Sequence, residues 1–305
     1  MGGTGVRYNL EFGIERVKSK FHGSRAAAIL SLAGLGAAAA IPIAAHAATT
    51  TVVVTPGNMQ GWAFFDDNGH GGSGSLVSGP ATPPLGAGSA ELSLTAMDQG
   101  YALGNGGFSG TKLADLARLG YSTYVQQGNN TVAPALQLNI DTDVTDGNVG
   151  WQGRMVYEPY YTHNVTDGTW QTWNTMDNAL VGNVGNWWFS NSGVATTSGC
   201  TQAKPCSWNQ VLTEFPNIGI NTQYPGVVFK AGSNWFVPFT GSVDAFTVGT
   251  ATDTTTYDFE LTAQLKPASK AACMSTGWQS FNAPTFKNQG ACVSWVEHNV
   301  LNHGQ

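Results

Sequence analysis

The sequence predicts an all-β fold: a jelly-roll or concanavalin-like β-sandwich with two short helices and a small, disulfide-closed segment at its C-terminal end. Short runs rich in β-branched and aromatic residues recur along the chain, and Gly, Pro, Asn or Asp separates most of them. Within residues 136–141 and 257–263, apolar and polar residues alternate with a period of two, as a strand with one buried face requires. The predicted strands are 49–54, 62–65, 90–95, 122–125, 135–141, 154–158, 226–230, 242–248 and 255–263.

Two segments predict short helices. Thr111 can cap a helix over 112–119, where leucines recur at a spacing of three residues. Ser207 can cap a second helix over 208–215, which has one apolar face and stops before Pro216. Neither segment is long enough to indicate an α/β fold, so many short strands with two covering helices favour a sandwich.

The first 47 residues have the pattern of an export signal peptide. Cations between Arg16 and Arg25 precede an apolar run over 26–43, and Ala45-His46-Ala47 is an Ala-x-Ala cleavage site. We therefore expect a secreted mature chain that begins at Ala48. No later stretch is apolar for long enough to cross a bilayer, so we expect no membrane insertion after processing.

The processed chain is acidic. Removing residues 1–47 leaves 8 of the 13 Lys and Arg and 17 of the 19 Asp and Glu, which gives a formal charge of −9. This balance argues against nucleic acid as a partner. Charged residues make up only 10% of the chain, well below the ordinary fraction of about 25%, as is usual in exported β-proteins with long polar loops.

Four cysteines in a chain with an export signal predict two disulfides. Cys200 with Cys206 and Cys273 with Cys292 are the local solutions among three connectivities. A polar, Pro-containing stretch over 266–270 precedes the second pair and marks a boundary. We thus expect a sandwich domain over 48–265 and a C-terminal segment over 266–305 that depends on its disulfide.

Several blocks of the sequence resemble a group of secreted bacterial proteins to which no reaction is assigned. The resemblance covers most of the mature chain and implies an exported concanavalin-like or jelly-roll sandwich with a Gly-Trp-Gln and Phe-Lys-Asn-Gln-Gly tail between Cys273 and Cys292. The blocks are Ser78-Gly-Pro-Ala-Thr-Pro-Pro-Leu-Gly-Ala-Gly-Ser, Gly110-Thr-Lys-Leu-Ala-Asp-Leu, Tyr121-Ser-Thr-Tyr, Gly168-Thr-Trp-Gln-Thr-Trp and the Cys273 loop.

An acidic loop follows the predicted strand at 135–141. Asp141, Asp143 and Asp146 offer three carboxylates, and Asn148 adds an amide oxygen, which is the hard oxygen set that Ca²⁺ prefers. The spacing departs from an EF-hand loop, and a solvated turn hinged at Asp146-Gly147 is the alternative. A structural calcium ion is therefore the one cofactor that the sequence suggests.

Aromatic residues are dense between Tyr157 and Trp188. Flat rings beside Asn, Asp and Gln side chains can hold sugar faces, whereas in a sandwich large rings also fill the space between the sheets. Trp187 and Trp188 are neighbours in a strand and point to opposite faces, so we expect them to be the most exposed of the set. The candidate ligand-binding residues are Tyr160, Tyr161, Trp170, Trp173, Trp187 and Trp188.

The leading hypothesis is a non-catalytic sandwich that binds a glycan or another surface ligand. Glycoside hydrolysis needs two carboxylates facing each other across a cleft, and Glu158 with Asp244 or Glu260 would supply them. A polysaccharide-active hydrolase or lyase is therefore one alternative, and a structural envelope or matrix protein is the other. Fold class alone does not distinguish these three functions.

Overall fold

The computed structural model describes residues 48–224, 226–262, 265–282 and 284–301 and confirms the predicted sandwich. The predicted signal peptide lies outside these residues. The strands, in chain order, are β1 (Ala48–Val54), β2 (Trp62–Asp66), β3 (Ser73–Ser78), β4 (Gly88–Leu94), β5 (Gly100–Asn105), β6 (Arg118–Gln127), β7 (Ala135–Asp141), β8 (Arg154–Tyr157), β9 (Trp170–Asn174), β10 (Trp187–Phe189), β11 (Gly219–Ile220), β12 (Val227–Gly232), β13 (Phe239–Gly249) and β14 (Asp253–Phe259).

The strands form two seven-stranded sheets. In the first sheet the long strand β13 pairs with β4, β6 and β14, and β3, β9 and β1 extend these pairings outward. In the second sheet the order is β10-β8-β7-β12-β5-β2, with β11 beside the end of β7. Every pairing is antiparallel except that of β1 with β14.

The core lies between the sheets and is built by period-two alternation. In β7, Leu136, Leu138 and Ile140 are buried in the core, while Gln137 and Asn139 point to the other face. Aromatic rings join the two sheets across the core. The Trp62 ring of the second sheet stacks on Phe229 at 5.7 Å between ring centroids and meets Phe246 of the first sheet edge-on at 5.8 Å.

Within the described ranges, three α-helices lie outside the sheets: α1 (Ser192–Ser198), α2 (Trp208–Glu214) and α3 (Gln289–Val296). The helix predicted after Ser207 is confirmed as α2. Its start is fixed by a capping box, in which the Ser207 hydroxyl accepts from Gln210 N and the Gln210 side chain accepts from Ser207 N.

The helix predicted over 112–119 is wrong. Only a 3₁₀ turn at Leu113–Asp115 forms, and β6 begins at Arg118. Leu119 pairs with Val248 of β13 and is buried. Strand pairing with β13 therefore overrides the helical spacing of the leucines, because a helix of two turns could not bury their side chains as well.

Both predicted disulfides, Cys200–Cys206 and Cys273–Cys292, are confirmed. The second lies in the centre of a separate small core, in which Cys273, Cys292 and Val296 are buried and Trp278 and Trp295 pack around them. Asn282 of this segment accepts a hydrogen bond from the Leu265 amide.

No helix among the described residues is long and apolar enough to cross a bilayer.

Two buried carboxylates hold the segment 79–87 against the first sheet. Asp244 of β13 accepts hydrogen bonds from the Leu85 amide (3.0 Å) and the Phe259 amide (3.2 Å), and Glu260 accepts one from the Ala87 amide (2.7 Å). Burial raises the pKa of Asp244 to about 7 although these amides favour the charged form. The carboxyl group of Asp244 therefore titrates in the folded chain far above its pH range in the unfolded chain.

The Asp244 pKa predicts a pH-dependent stability. Between about pH 4, where an unfolded aspartate titrates, and about pH 7, the folded chain binds more protons than the unfolded chain, so the free energy of unfolding falls as pH rises. In Asp244→Asn this slope should be shallower by up to about 1.4 kcal/mol per pH unit. Urea unfolding at several pH values measures it, with exposed Asp115→Asn as the control. Equal slopes in wild type and Asp244→Asn would contradict the assignment.

Candidate functional site

A groove of about 460 Å³ lies on the outer face of the second sheet, the face turned away from the core. We call it the sheet groove. Gln137 of β7, Arg154 and Val156 of β8 and Lys230 of β12 line it, because each alternates with side chains that are buried between the sheets. Trp188 joins this face because it pairs directly with Val156.

Arg154, Asp67 and Lys230 form a charged network in the sheet groove. Asp67 follows directly on β2, and its two oxygens accept from Arg154 Nη2 (2.8 Å) and Lys230 Nζ (2.6 Å). Arg154 also donates from Nη1 to Gln137 and from Nε to Asn139. The network joins strands β8 and β12 to the end of β2 and fixes the guanidinium plane of Arg154.

Asp67 is held in its charged form. Burial alone would raise the pKa of this carboxyl, but the hydrogen bonds and charges of Arg154 and Lys230 outweigh burial, so the pKa lies below its usual value. The three side chains are less than one-fifth exposed. A charged side chain that is buried to this extent requires an oppositely charged partner, and here Arg154 and Lys230 share the carboxylate of Asp67.

Glu158 and Trp188 form a second polar contact in the sheet groove. Trp188 donates from Nε1 to Glu158 Oε2 at 2.8 Å, and the Tyr160 hydroxyl donates to the same oxygen at 3.2 Å. Burial raises the pKa of Glu158, and the two hydrogen bonds oppose that rise only in part. Among the described residues, both hydrogen-bond donors to Glu158 reach Oε2, so Oε1 can accept from a ligand.

Two further aromatic side chains, Trp151 and Trp235, line the sheet groove. Trp151 is half exposed, and Trp235 packs its ring edge-on against Phe239 at 4.9 Å. Gln202 lines the groove and its carbonyl accepts from the Tyr161 hydroxyl. The Tyr161 ring lies 4.3 Å from the ring of Tyr160, centroid to centroid.

The structure separates the aromatic residues predicted to bind ligand. Trp188 lines the sheet groove, and Tyr160 and Tyr161 lie beside it. The expectation that Trp187 is exposed is wrong, because it pairs with Tyr157 on the core-facing side and is only 1% exposed.

Two further candidates lie away from the groove. Trp173 is also in the core, 5% exposed, with Nε1 donating to Thr123. Trp170 is half-buried in the first sheet, and its Nε1 donates to the Pro80 carbonyl.

The carboxylates proposed as an acid and base pair are not brought together. Glu158 lines the sheet groove at the end of β8, whereas Asp244 and Glu260 belong to the first sheet and hold the segment 79–87. The other carboxylate in the sheet groove is Asp67, which is bound to two cations. The pairing of Glu158 with Asp244 or Glu260 is therefore corrected: these groups lie on different sheets.

The acidic loop after β7 forms a series of turns. Asp141 accepts from the Asp143 amide, Asp143 accepts from the amide and hydroxyl of Thr145, and Asp146 accepts from the Asn148 amide. In the described part of the chain, no three Asp, Glu, His or Cys residues are grouped to hold a metal ion. Calcium binding by this loop stays a prediction.

Sequence reasoning missed Asp67, Arg154 and Lys230. Asp67 lies in an Asp-Asp-Asn-Gly turn, where its neighbour Asp66 accepts from the amides of Asn68, Gly69 and Gly71. A signal for the two cations was present: Arg154 begins the apolar strand β8 and Lys230 lies within β12, each at a position that alternates with core residues. Charged side chains are rarely placed there unless they are paired or functional.

A second cavity, of about 580 Å³, lies between the first sheet and the C-terminal segment. Glu260, Lys266, Asn282 and Trp295 line it, and Glu260 is already bound to the Ala87 amide. Glu260, Lys266 and Asn282 lie outside the strands, whereas Gln137, Arg154 and Lys230 of the sheet groove stand on adjacent strands. Strands hold functional groups more rigidly than loops do, so the sheet groove is the stronger candidate site.

The sequence matches no protein-family model and no curated protein. Among solved structures, the chain is similar to a family 11 carbohydrate-binding module from Clostridium thermocellum, determined in complex with a β-1,3-1,4-mixed-linked tetrasaccharide. The identity is 14%, the TM-score is 0.31, and the match covers 60% of this chain and 85% of the module. The ligand of that module says nothing about a ligand of this chain.

Removing the carboxylate of Asp67 should destabilise the fold. In Asp67→Asn, Arg154 and Lys230 lose their charged partner, and we expect the free energy of unfolding to fall by about 2 kcal/mol or more. Urea denaturation measures the change. Asp115→Asn is the control, since it removes the same charge from an exposed position. Equal losses in the two variants would show that the network contributes nothing.

Proposed function

We propose that this chain is a secreted β-sandwich protein that binds a polysaccharide in the sheet groove without chemical turnover. The observation that carries the proposal is the contact between Trp188 and Glu158, which places a flat ring and a carboxylate oxygen side by side. Sugar recognition needs both features, because pyranose faces stack on aromatic rings and ring hydroxyls require hydrogen-bond partners.

The Trp188 ring is fixed before any ligand arrives. Its Nε1–H is bound to Glu158, and its backbone is paired with Val156 of β8. Glu158 is in turn held by Tyr160, so that three side chains share one hydrogen-bonded arrangement. A preorganised surface loses little side-chain entropy on binding, which favours affinity for an extended ligand.

The groove also supplies polar groups along its length. Gln137, Arg154 and Lys230 lie on adjacent strands and offer amide and cationic donors, and Trp151 and Trp235 also line the groove. Polar donors together with aromatic rings suit a chain of hydroxylated sugar rings. A groove open along the sheet surface suits a polymer better than an enclosed pocket would.

Binding without turnover is the function that the carboxylates support best. Glycoside hydrolysis requires two carboxyl groups on either side of one bond, and Glu158 lies on a different sheet from Asp244 and Glu260. Asp67 lies in the groove, but its two oxygens are occupied by cations.

Export remains part of the proposal. The signal peptide predicted over residues 1–47 supports it, and the two disulfides fit an oxidising compartment. We infer that the polysaccharide is extracellular.

The test is retention of the mature, oxidised chain from Ala48 on insoluble polysaccharides and in affinity gels, with calcium or with a chelator, while released reducing ends are assayed in parallel. We expect retention without release. In Trp188→Ala, retention on the same polysaccharide should fall about tenfold or more, since a stacked tryptophan often dominates such contacts. Trp170→Ala is the matched control: it removes a half-buried tryptophan from the first sheet and should bind as wild type does.

Three outcomes would contradict the proposal. Release of reducing ends that is lost in Glu158→Gln would favour the hydrolase or lyase alternative. Loss of retention in Trp170→Ala but not in Trp188→Ala would place the site on the first sheet. No retention on any polysaccharide would favour a structural envelope or matrix protein.

A further inference from the structure

The two ends of the sheet groove differ in charge. Arg154, Val156 and Glu158 point to the same face at successive alternating positions, so Arg154 and Glu158 are about 13 Å apart along the strand direction. Trp188 lies between them, opposite Val156. The groove therefore has a cationic end, an aromatic middle and a carboxyl end, spread over more than one sugar ring.

The cationic end has an excess of positive charge and of hydrogen-bond donors. Arg154 and Lys230 share one carboxylate, and both oxygens of Asp67 are used. Of the five N–H groups of an arginine, Arg154 uses three on Asp67, Gln137 and Asn139, and Lys230 uses one of three. The unused N–H groups are donors on the groove wall without an acceptor from the described residues.

A purely structural role does not account for this excess. One cation would neutralise Asp67, yet two of the eight Lys and Arg that follow residue 47 converge on it in an otherwise acidic chain. Each cation is less than one-fifth exposed, and partial burial of charge costs free energy unless a partner restores it. A second anion bound in the groove beside Asp67 would give the two cations two anionic partners.

We propose that the sheet groove selects an acidic polysaccharide, with the carboxylate of a uronic acid residue bound to Arg154 and Lys230 and a neighbouring ring of the same chain stacked on Trp188. This inference rests on the proposed function of the groove. Guanidinium and ammonium donors bind carboxylates in charge-assisted hydrogen bonds. At the other end of the groove, Glu158 Oε1 accepts a hydrogen bond from a sugar hydroxyl, so the sugar ring bound there presents an uncharged edge.

An acidic polysaccharide also suits the aromatic middle of the groove. A uronic acid polymer carries its charge on one side of each acidic ring and leaves apolar ring faces for Trp188.

The experiment compares matched polymers. Binding of the mature, oxidised chain to hyaluronate, polygalacturonate and alginate is measured by affinity electrophoresis and calorimetry, each polymer beside its carboxyl-reduced, neutral form. We expect at least one acidic polymer to bind about tenfold more tightly than its reduced form. This preference should shrink as sodium chloride is raised, because salt screens the partly exposed ion pairs.

Variants assign the preference to the groove. Lys230→Gln keeps a donor, removes the charge and leaves Arg154 on Asp67, so its affinity for the acidic form should fall far more than its affinity for the neutral form. Lys230→Arg should retain the preference. Lys287→Gln is the control, since it removes the same charge from an exposed position of the C-terminal segment. Circular dichroism and thermal unfolding verify that each variant is folded.

The outcomes separate this inference from the proposed function. Retention on neutral polysaccharides with no preference for the acidic forms, sensitive to Trp188→Ala, would overturn the acidic ligand and leave the groove as a glycan site. An acidic preference that is unchanged in Lys230→Gln, or lost equally in Lys287→Gln, would also overturn it. Absence of binding to every polymer, acidic or neutral, would overturn both.

Discussion

The packing of aromatic and aliphatic side chains between the two sheets decides which face of each strand is left for function. Once Met155 and Tyr157 are buried against the first sheet, Arg154 and Val156 must point outward. The same alternation places Trp187 in the core and Trp188 on the outer face. The composition of the sheet groove is therefore a consequence of strand register, and a shift by one residue would exchange the groove for the core.

The charged network around Asp67 and the contact between Trp188 and Glu158 lie in the same groove and complement each other. The carboxylate of Asp67, the residue after β2, binds Arg154 of β8 and Lys230 of β12 and so orients both cations. Glu158 orients Trp188 through a hydrogen bond at 2.8 Å, with Tyr160 as a third member. Each group is held by another group in the groove, which is the arrangement that a rigid binding surface needs. Glu260 and Asp244 use their carboxylates differently, to hold a loop on the first sheet.

Local patterns in the sequence predicted the sandwich, helix α2 and both disulfides. Alternation identified β7, and the Ser207 capping box needs only residues three positions apart. The network around Asp67 could not be predicted in the same way, because Asp67 and Arg154 lie 87 residues apart, Lys230 lies still further along the chain, and the three meet only through the order of strands in the second sheet. The aromatic cluster was ambiguous for a related reason: without the register of β10 on β8, nothing distinguished Trp187 from Trp188.

The central claim, that the outer face of the second sheet holds a saccharide, is tested most directly by following the indole Nε1–H resonances of the mature chain by NMR during titration with an oligosaccharide of a retained polysaccharide. We expect the resonance of Trp188 to shift progressively, because its ring stacks on the ligand and its N–H stays on Glu158. The resonances of buried Trp187 and of Trp170 on the first sheet should move little. A titration that shifts Trp170 and leaves Trp188 unchanged would show that the saccharide does not bind in the sheet groove.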